Sequence, residues 1–175
     1  MRLRLLWTTV LLSTAACSGQ TAKEPAATAP TSITVTSTAI REGATIPAKY
    51  TCDGVSPPLT WSGAPASTAA LALVVDDPDA PNGTFTHWVL LDVGRTTTSI
   101  AEATLPPGAK QADNSAGKAT YAGPCPPSGT HHYRFTVYAL SEPTGLPDGT
   151  KLDKALKAID KNTIARGRLT GVYSR

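Results

Sequence analysis

Prolines and glycines, 15 and 14 of them in 175 residues, favour many turns and short elements over long helices. What lies between the breakers sets the rest. Leu71–Val75 is an apolar run long enough for a buried strand. It stops at Asp76 and Asp77. Pro78, Pro81 and Gly83 then break regular structure, and His87 leads into a second apolar run, Trp88–Leu91. The pattern is strand, stiff loop, strand, with an acid at one lip and a histidine at the other. Such a loop has little conformational freedom to lose, so it can hold polar groups in place.

The other segments read similarly. Ile33–Ser37 alternates as a half-buried strand does, Thr45–Tyr50 reads as a short strand interrupted by Pro47, and a strand begins at Trp61. Tyr133–Leu140 alternates and is rich in aromatic and β-branched residues. Gly94–Gly117 reads as loop. Leu152, Ala155, Leu156 and Ile159 share one face of a helix, with Thr150 as the expected N-cap. Gly167 is read as the end of the segment after the helix, and Leu169–Tyr173 as a last strand. The expectation is a mainly antiparallel β domain.

The N-terminus reads as a targeting segment. Arg2 and Arg4 precede an apolar stretch, Leu5–Leu12, too short for a permanent membrane span. Thr14-Ala15-Ala16-Cys17 resembles a bacterial lipobox, although leucine usually stands where Thr14 does. Residues 1–16 are therefore expected to be a lipoprotein signal peptide, with Cys17 lipidated; a plain secretory signal cut after Ala16 is the alternative. Residues 17–32, rich in Thr, Ala and Pro, are expected to be a flexible tether, reaching at most ~50 Å when extended. The domain then occupies 33–175. Loss of Arg2 and Arg4 with the leader lowers the formal charge from +3 to +1. No basic stripe argues for nucleic acid.

An exported compartment permits a disulfide between Cys52 and Cys125. It would close a loop of about 74 residues, worth roughly 4–5 kcal/mol on the chain-entropy argument. Sequence alone leaves that bond open.

Three stiff loops, 51–58, 77–87 and 121–131, hold most of the distinctive polar residues. They are expected to meet at one end of a sheet, gathering Asp77, Asp79, His87, Tyr121, His131 and Tyr133, with backbone amides near Gly123 and Gly129. His132 should face the other way from His131. Two histidines with pKa near 6.5 can bind an anion when partly protonated. No closely spaced histidine pair argues for a metal, and no G-x-S-x-G motif argues for a serine hydrolase. Cys125 is the sharpest candidate nucleophile. No catalytic residue, metal or cofactor is assigned.

D-P-D-A-P at Asp77–Pro81, the His87-Trp88 pair and G-P-C-P-P-x-G-x-H-x-Y-x-F at Gly123–Phe135 resemble the phosphatidylethanolamine-binding protein (PEBP) family. The likeness is to its bacterial branch, usually labelled Raf kinase inhibitor-like. T-C-D-G-x-x-S-P-P-L-x-W fits with one spacer fewer, Val55 standing alone, and Leu169–Arg175 fits the terminal L-T-G-x-Y-S-R. The resemblance implies an antiparallel β-sandwich, a large central sheet with a smaller one and few short helices. It implies a pocket for a small anion or phospholipid head group, lined by Asp77, His87, His131 and Tyr133, with Pro126 and Pro127 as a wall. Asp79 and Gly123 are expected beside it. Cys125 stands where eukaryotic members have glycine. The resulting expectation is an exported, lipid-anchored binding protein of the cell envelope, on the membrane's periplasmic or extracytoplasmic face. The alternative is an inhibitor of a protease or another envelope protein; a hydrolase is a third reading.

Overall fold

The computed structural model describes residues 24, 29, 30 and 32–175. The expected leader, residues 1–16, and Cys17 lie outside these residues. Two antiparallel sheets carry the fold. The smaller sheet pairs β1 (Thr34–Thr36), β2 (Leu59–Ser62) and β5 (Ser99–Ile100). The larger contains β3 (Ala70–Asp77), β4 (Phe85–Gly94), β6 (Lys110–Gln111), β7 (Thr130–Leu140) and β8 (Thr163–Ser174), in the order β6-β4-β3-β7-β8. One helix, α1 (Leu152–Asn162), runs directly into β8.

Alternation assigns the two faces of the large sheet. Leu71, Leu73 and Val75 of β3 and Tyr133, Phe135 and Val137 of β7 point toward the small sheet, where they meet Val35, Leu59, Trp61 and Ile100. The even-numbered Ala72, Val74, Tyr138 and Leu140 point the other way, onto Ala155 and Ile159 of α1. Both faces are covered, which is why Leu71–Val75 reads as a continuous apolar run.

Several local expectations change. Thr45–Tyr50 is not a strand. Thr45 makes one isolated bridge to Val172, and the chain then turns as a 3-10 helix over Ala48–Tyr50. Pro47 has no N–H for a ladder and its fixed φ suits the start of such a turn. Thr150 does not cap α1. Its hydroxyl donates to the Pro147 carbonyl, and Lys151 takes the cap position without a side-chain bond. Gly167 does not end a segment. It lies inside β8, where the Ile33 backbone passes against it. Asp92 (φ 54) is the surplus residue of a bulge in β4, between the pairs Leu71↔Val93 and Leu73↔Leu90. Its carboxylate accepts from the Thr144 and Gly145 amides at 2.6 and 2.9 Å.

Part of the stretch expected as tether touches the domain. Ala29 packs against the helix-side core, and the Arg166 amide donates to the Pro30 carbonyl at 2.9 Å.

Candidate anion-binding site

Antiparallel pairing brings the C-terminal end of β3 and the N-terminal ends of β4 and β7 to one edge of the large sheet. Asp77 arrives on β3, Phe85 and His87 on β4, His131 and Tyr133 on β7. His87 reaches the same side as its neighbour Trp88 because of a second bulge. Val75 pairs with Trp88 and Asp76 with Thr86, so His87 is the surplus residue. Without that insertion, alternation would turn His87 and Trp88 to opposite faces.

The side chains are buried: Asp77 is 3% exposed, His87 6% and His131 7%. Asp77 Oδ2 lies 2.7 Å from His131 Nδ1, and Asp77 Oδ1 accepts from the Asp79 amide at 2.8 Å. An ionised carboxylate can only accept, so His131 Nδ1 carries the proton in this pair. His87 Nδ1 lies 2.8 Å from the Ala122 carbonyl and must likewise donate. Both rings are thereby held in one orientation, and Nε2 is the nitrogen each leaves for a ligand. The Tyr133 ring neighbours both, with centroids 5.3 Å from His87 and 6.4 Å from His131. Its buried hydroxyl lies close to Asp77 without a well-aligned hydrogen bond to it. Burial and the nearby Asp77 charge push the Tyr133 hydroxyl pKa up, so it remains a donor at neutral pH.

Burial pushes the His87 pKa below its ordinary value, only partly opposed by the bond to Ala122 and the Asp77 charge. In the folded protein His87 is therefore neutral at pH 7. The unfolded chain takes up this proton near pH 6.5 and the folded chain only at lower pH, so acidification below about pH 6.5 favours unfolding. Thermal melts of wild type and His87→Gln between pH 5 and 8 test this. Wild type should lose more stability over that fall in pH; parallel profiles would exclude the effect.

The other expected site residues are distributed around this centre. Gly123 is buried, and a Cβ there would meet Cys52 O at 2.5 Å and Cys52 N at 2.7 Å, so only glycine lets loop 121–131 lie against Thr51 and Cys52. Cys52 and Cys125 are joined by a disulfide across this contact, with Cα atoms 4.7 Å apart. Cys125 is therefore no thiolate nucleophile. Pro126 is buried and Pro127 exposed. Tyr121 donates from its hydroxyl to the Tyr50 carbonyl and sets its ring edge-on to Trp88. Asp79 is committed elsewhere: its Oδ2 accepts from the His132 amide and from His132 Nδ1, on an exposed surface. These bonds hold the Asp79 carboxyl below its ordinary range.

A cavity of about 570 Å³ is lined by residues including Cys52, Lys118, Tyr121, Gly123 and Arg175, and by none of Asp77, His87, His131 and Tyr133. Lys118 and Arg175 escape a reading that looks only at histidines and acids. The Ala122 carbonyl escapes it too, because a backbone group leaves no side-chain signature. Among the described residues, no group of three or more His, Cys, Asp or Glu side chains is arranged to hold a metal ion.

An Asp–His pair, a second buried histidine and a buried tyrosine hydroxyl thus meet at one edge of the large sheet of a β-sandwich. The chain belongs to the phosphatidylethanolamine-binding protein family, whose sequence profile matches residues 36–174. A UPF0098 protein of Methanothermobacter thermautotrophicus is 42% identical over 137 residues, covering 74% of this chain and 91% of that one. A Mycobacterium tuberculosis protein named "Putative lipoprotein LppC" is 43% identical over 145 residues, covering 81% of this chain and 72% of that one. The crystal structure of Escherichia coli YbcL, described as a member of the mammalian PEBP family, superposes with a TM-score of 0.78 at 33% identity, covering 82% of this chain and 99% of that one.

Proposed function

We propose that this protein binds a small phosphate-type anion, free or as a phospholipid head group, between His87, His131 and Tyr133. The observation that carries the reading is the convergence of two buried histidines, each with Nδ1 already committed and Nε2 left over, beside the buried Tyr133 hydroxyl. An oxyanion entering there would accept from the two rings and give the hydroxyl a well-aligned acceptor. Asp77 orients His131. A proton taken up at His87 Nε2 as the anion enters converts that atom from acceptor to charged donor, so binding and protonation are coupled. The family relationship supports a binding role rather than turnover. The name of the mycobacterial relative supports a lipid anchor at Cys17, which would place the pocket on the outer side of the membrane that holds it. Among the described residues, no helix is long and apolar enough to cross a membrane.

Calorimetric titration of the full-length chain with phosphate, phosphoethanolamine and sulfate tests the reading. Sulfate keeps its charge between pH 5.5 and 8, so tighter sulfate binding at pH 5.5 reports protein groups alone. Replacing both His87 and His131 by Ala should weaken binding on the order of 100-fold, the loss of two charge-assisted bonds. Unchanged affinity in that variant would refute the assignment.

A further inference from the structure

The opposite face of the large sheet carries another group of charges. Alternation places Asp76, Arg134, Thr136 and Tyr138 on that face, and pairing of Thr136 with Arg168 and of Tyr138 with Arg166 adds two arginines from β8. Arg134 forks onto Asp76, with Nε to Oδ1 at 2.7 Å and Nη2 to Oδ2 at 2.6 Å. Arg168 Nε donates to the Thr136 hydroxyl at 3.1 Å. All three guanidiniums converge on one carboxylate, that of Glu24. Arg166 Nη1 donates to Oε1 at 2.6 Å, Arg168 Nη2 donates to the same oxygen, and Arg134 Nη1 lies 3.3 Å from Oε2. The Glu24 side chain is 12% exposed there, and the three arginines 17–27%.

We propose that Arg134, Arg166 and Arg168 form a second oxyanion site, which Glu24 fills from within the chain and from which a phosphate-class dianion displaces it. The site is separate from the Asp77 pocket and lies on the other side of the sheet. Its donors are held before any ligand arrives: Asp76 fixes Arg134, and Thr136 fixes Arg168. The forks suit a tetrahedral oxyanion better than a carboxylate. Glu24 has two oxygens for three guanidiniums, and two of the arginines share Oε1; a phosphate offers each its own oxygen. Glu24 lies only nine residues before Ile33, so it competes at the millimolar effective concentration of a short link. Exchange would release the Glu24 side chain from the sheet.

The test is titration of inorganic phosphate into the full-length chain carrying His131→Ala, which disables the pocket, with and without Glu24→Gln. The amide variant should bind phosphate on the order of tenfold more tightly, and adding Arg168→Ala should abolish the gain. Should the Arg168 variant fold poorly, the NMR signal of the Arg168 Nε–H follows the exchange directly, shifting with phosphate in the Glu24→Gln protein at lower concentration than with Glu24 present. Vesicles containing phosphatidic acid, whose phosphomonoester head group can carry two charges, against phosphatidylcholine then distinguish the source. Capture by the anionic vesicles assigns a head group, and binding of free phosphate without capture assigns a soluble ligand. Equal phosphate affinity with and without Glu24, or a gain that survives Arg168→Ala, would overturn the proposal, and neither result bears on the Asp77 pocket.

Discussion

Replacing Cys52 and Cys125 by Ala should lower the melting temperature by roughly 15 °C. The cross-link spans a sequence separation of 73. On the chain-entropy account, closing a loop of that size contributes about 4.5 kcal/mol, and each kcal/mol moves the midpoint of a domain this size by roughly 3–4 °C. The local structure adds to the effect. Cys52 sits at φ 49, a left-handed conformation that side chains other than glycine, asparagine and aspartate seldom adopt, and its amide donates to the Pro124 carbonyl at 2.9 Å. Once the disulfide is lost, that conformation rests on this backbone bond and on the packing of Gly123 against Cys52. The loop it pins includes Ala122, whose carbonyl orients His87. Phosphate binding should therefore weaken along with stability. Calorimetry and melting of the double variant, compared with wild type treated with a thiol reductant, provide the check. A midpoint within a few degrees of wild type would show that the loop is held by its backbone contacts alone.

The second large effect is expected at Gly167. A Cβ there would overlap the Ile33 carbonyl, with that carbonyl's carbon 2.5 Å away and Ile33 Cβ 2.8 Å away. These are mostly backbone atoms, held by the bonds from Arg166 to Pro30 and from Ile33 to Arg166, so no rotamer change relieves the clash. Gly167→Ala should cost roughly 3 kcal/mol, at the upper end for overpacking. Gly171→Ala serves as the comparison, because its Cβ would meet the Ile46 and Ile40 side chains, which can rearrange. That variant should lose about 1 kcal/mol. Chemical denaturation of the two variants reads the difference directly, and equal losses would mean that the 30–33 segment shifts freely.

Much of the architecture was legible in short-range patterns. The apolar run before Asp77, the alternation after His131 and the helical spacing around Ile159 each reflect burial on a face of fixed period. The gathering of the candidate side chains was legible where a motif and an element boundary coincide, at Asp77, His131 and Tyr133. It was less so at Asp79, whose place in the Asp-Pro-Asp motif suggested the pocket but whose carboxylate goes to His132. The disulfide was open because two cysteines so far apart in the chain say nothing about distance. The arginine site was invisible for a related reason. Arg134 and Arg168 are neighbours only through the register that sets Thr136 opposite Arg168, and register is decided by the whole sheet. Arg166 and Arg168 do alternate along β8, and that spacing was the one available hint.

The bulge at His87 makes this site depend on chain length as well as on residue identity. A one-residue deletion between Thr86 and Trp88 would leave the apolar pattern of β4 from Trp88 onward intact, and with it the core. It would also remove the inward-facing imidazole and straighten the strand. A relative carrying such a deletion would keep the sandwich and lose one of the two buried histidines. An alignment scored on identity alone would rank it beside chains that keep both, so the gap column at this position carries information that percentage identity does not.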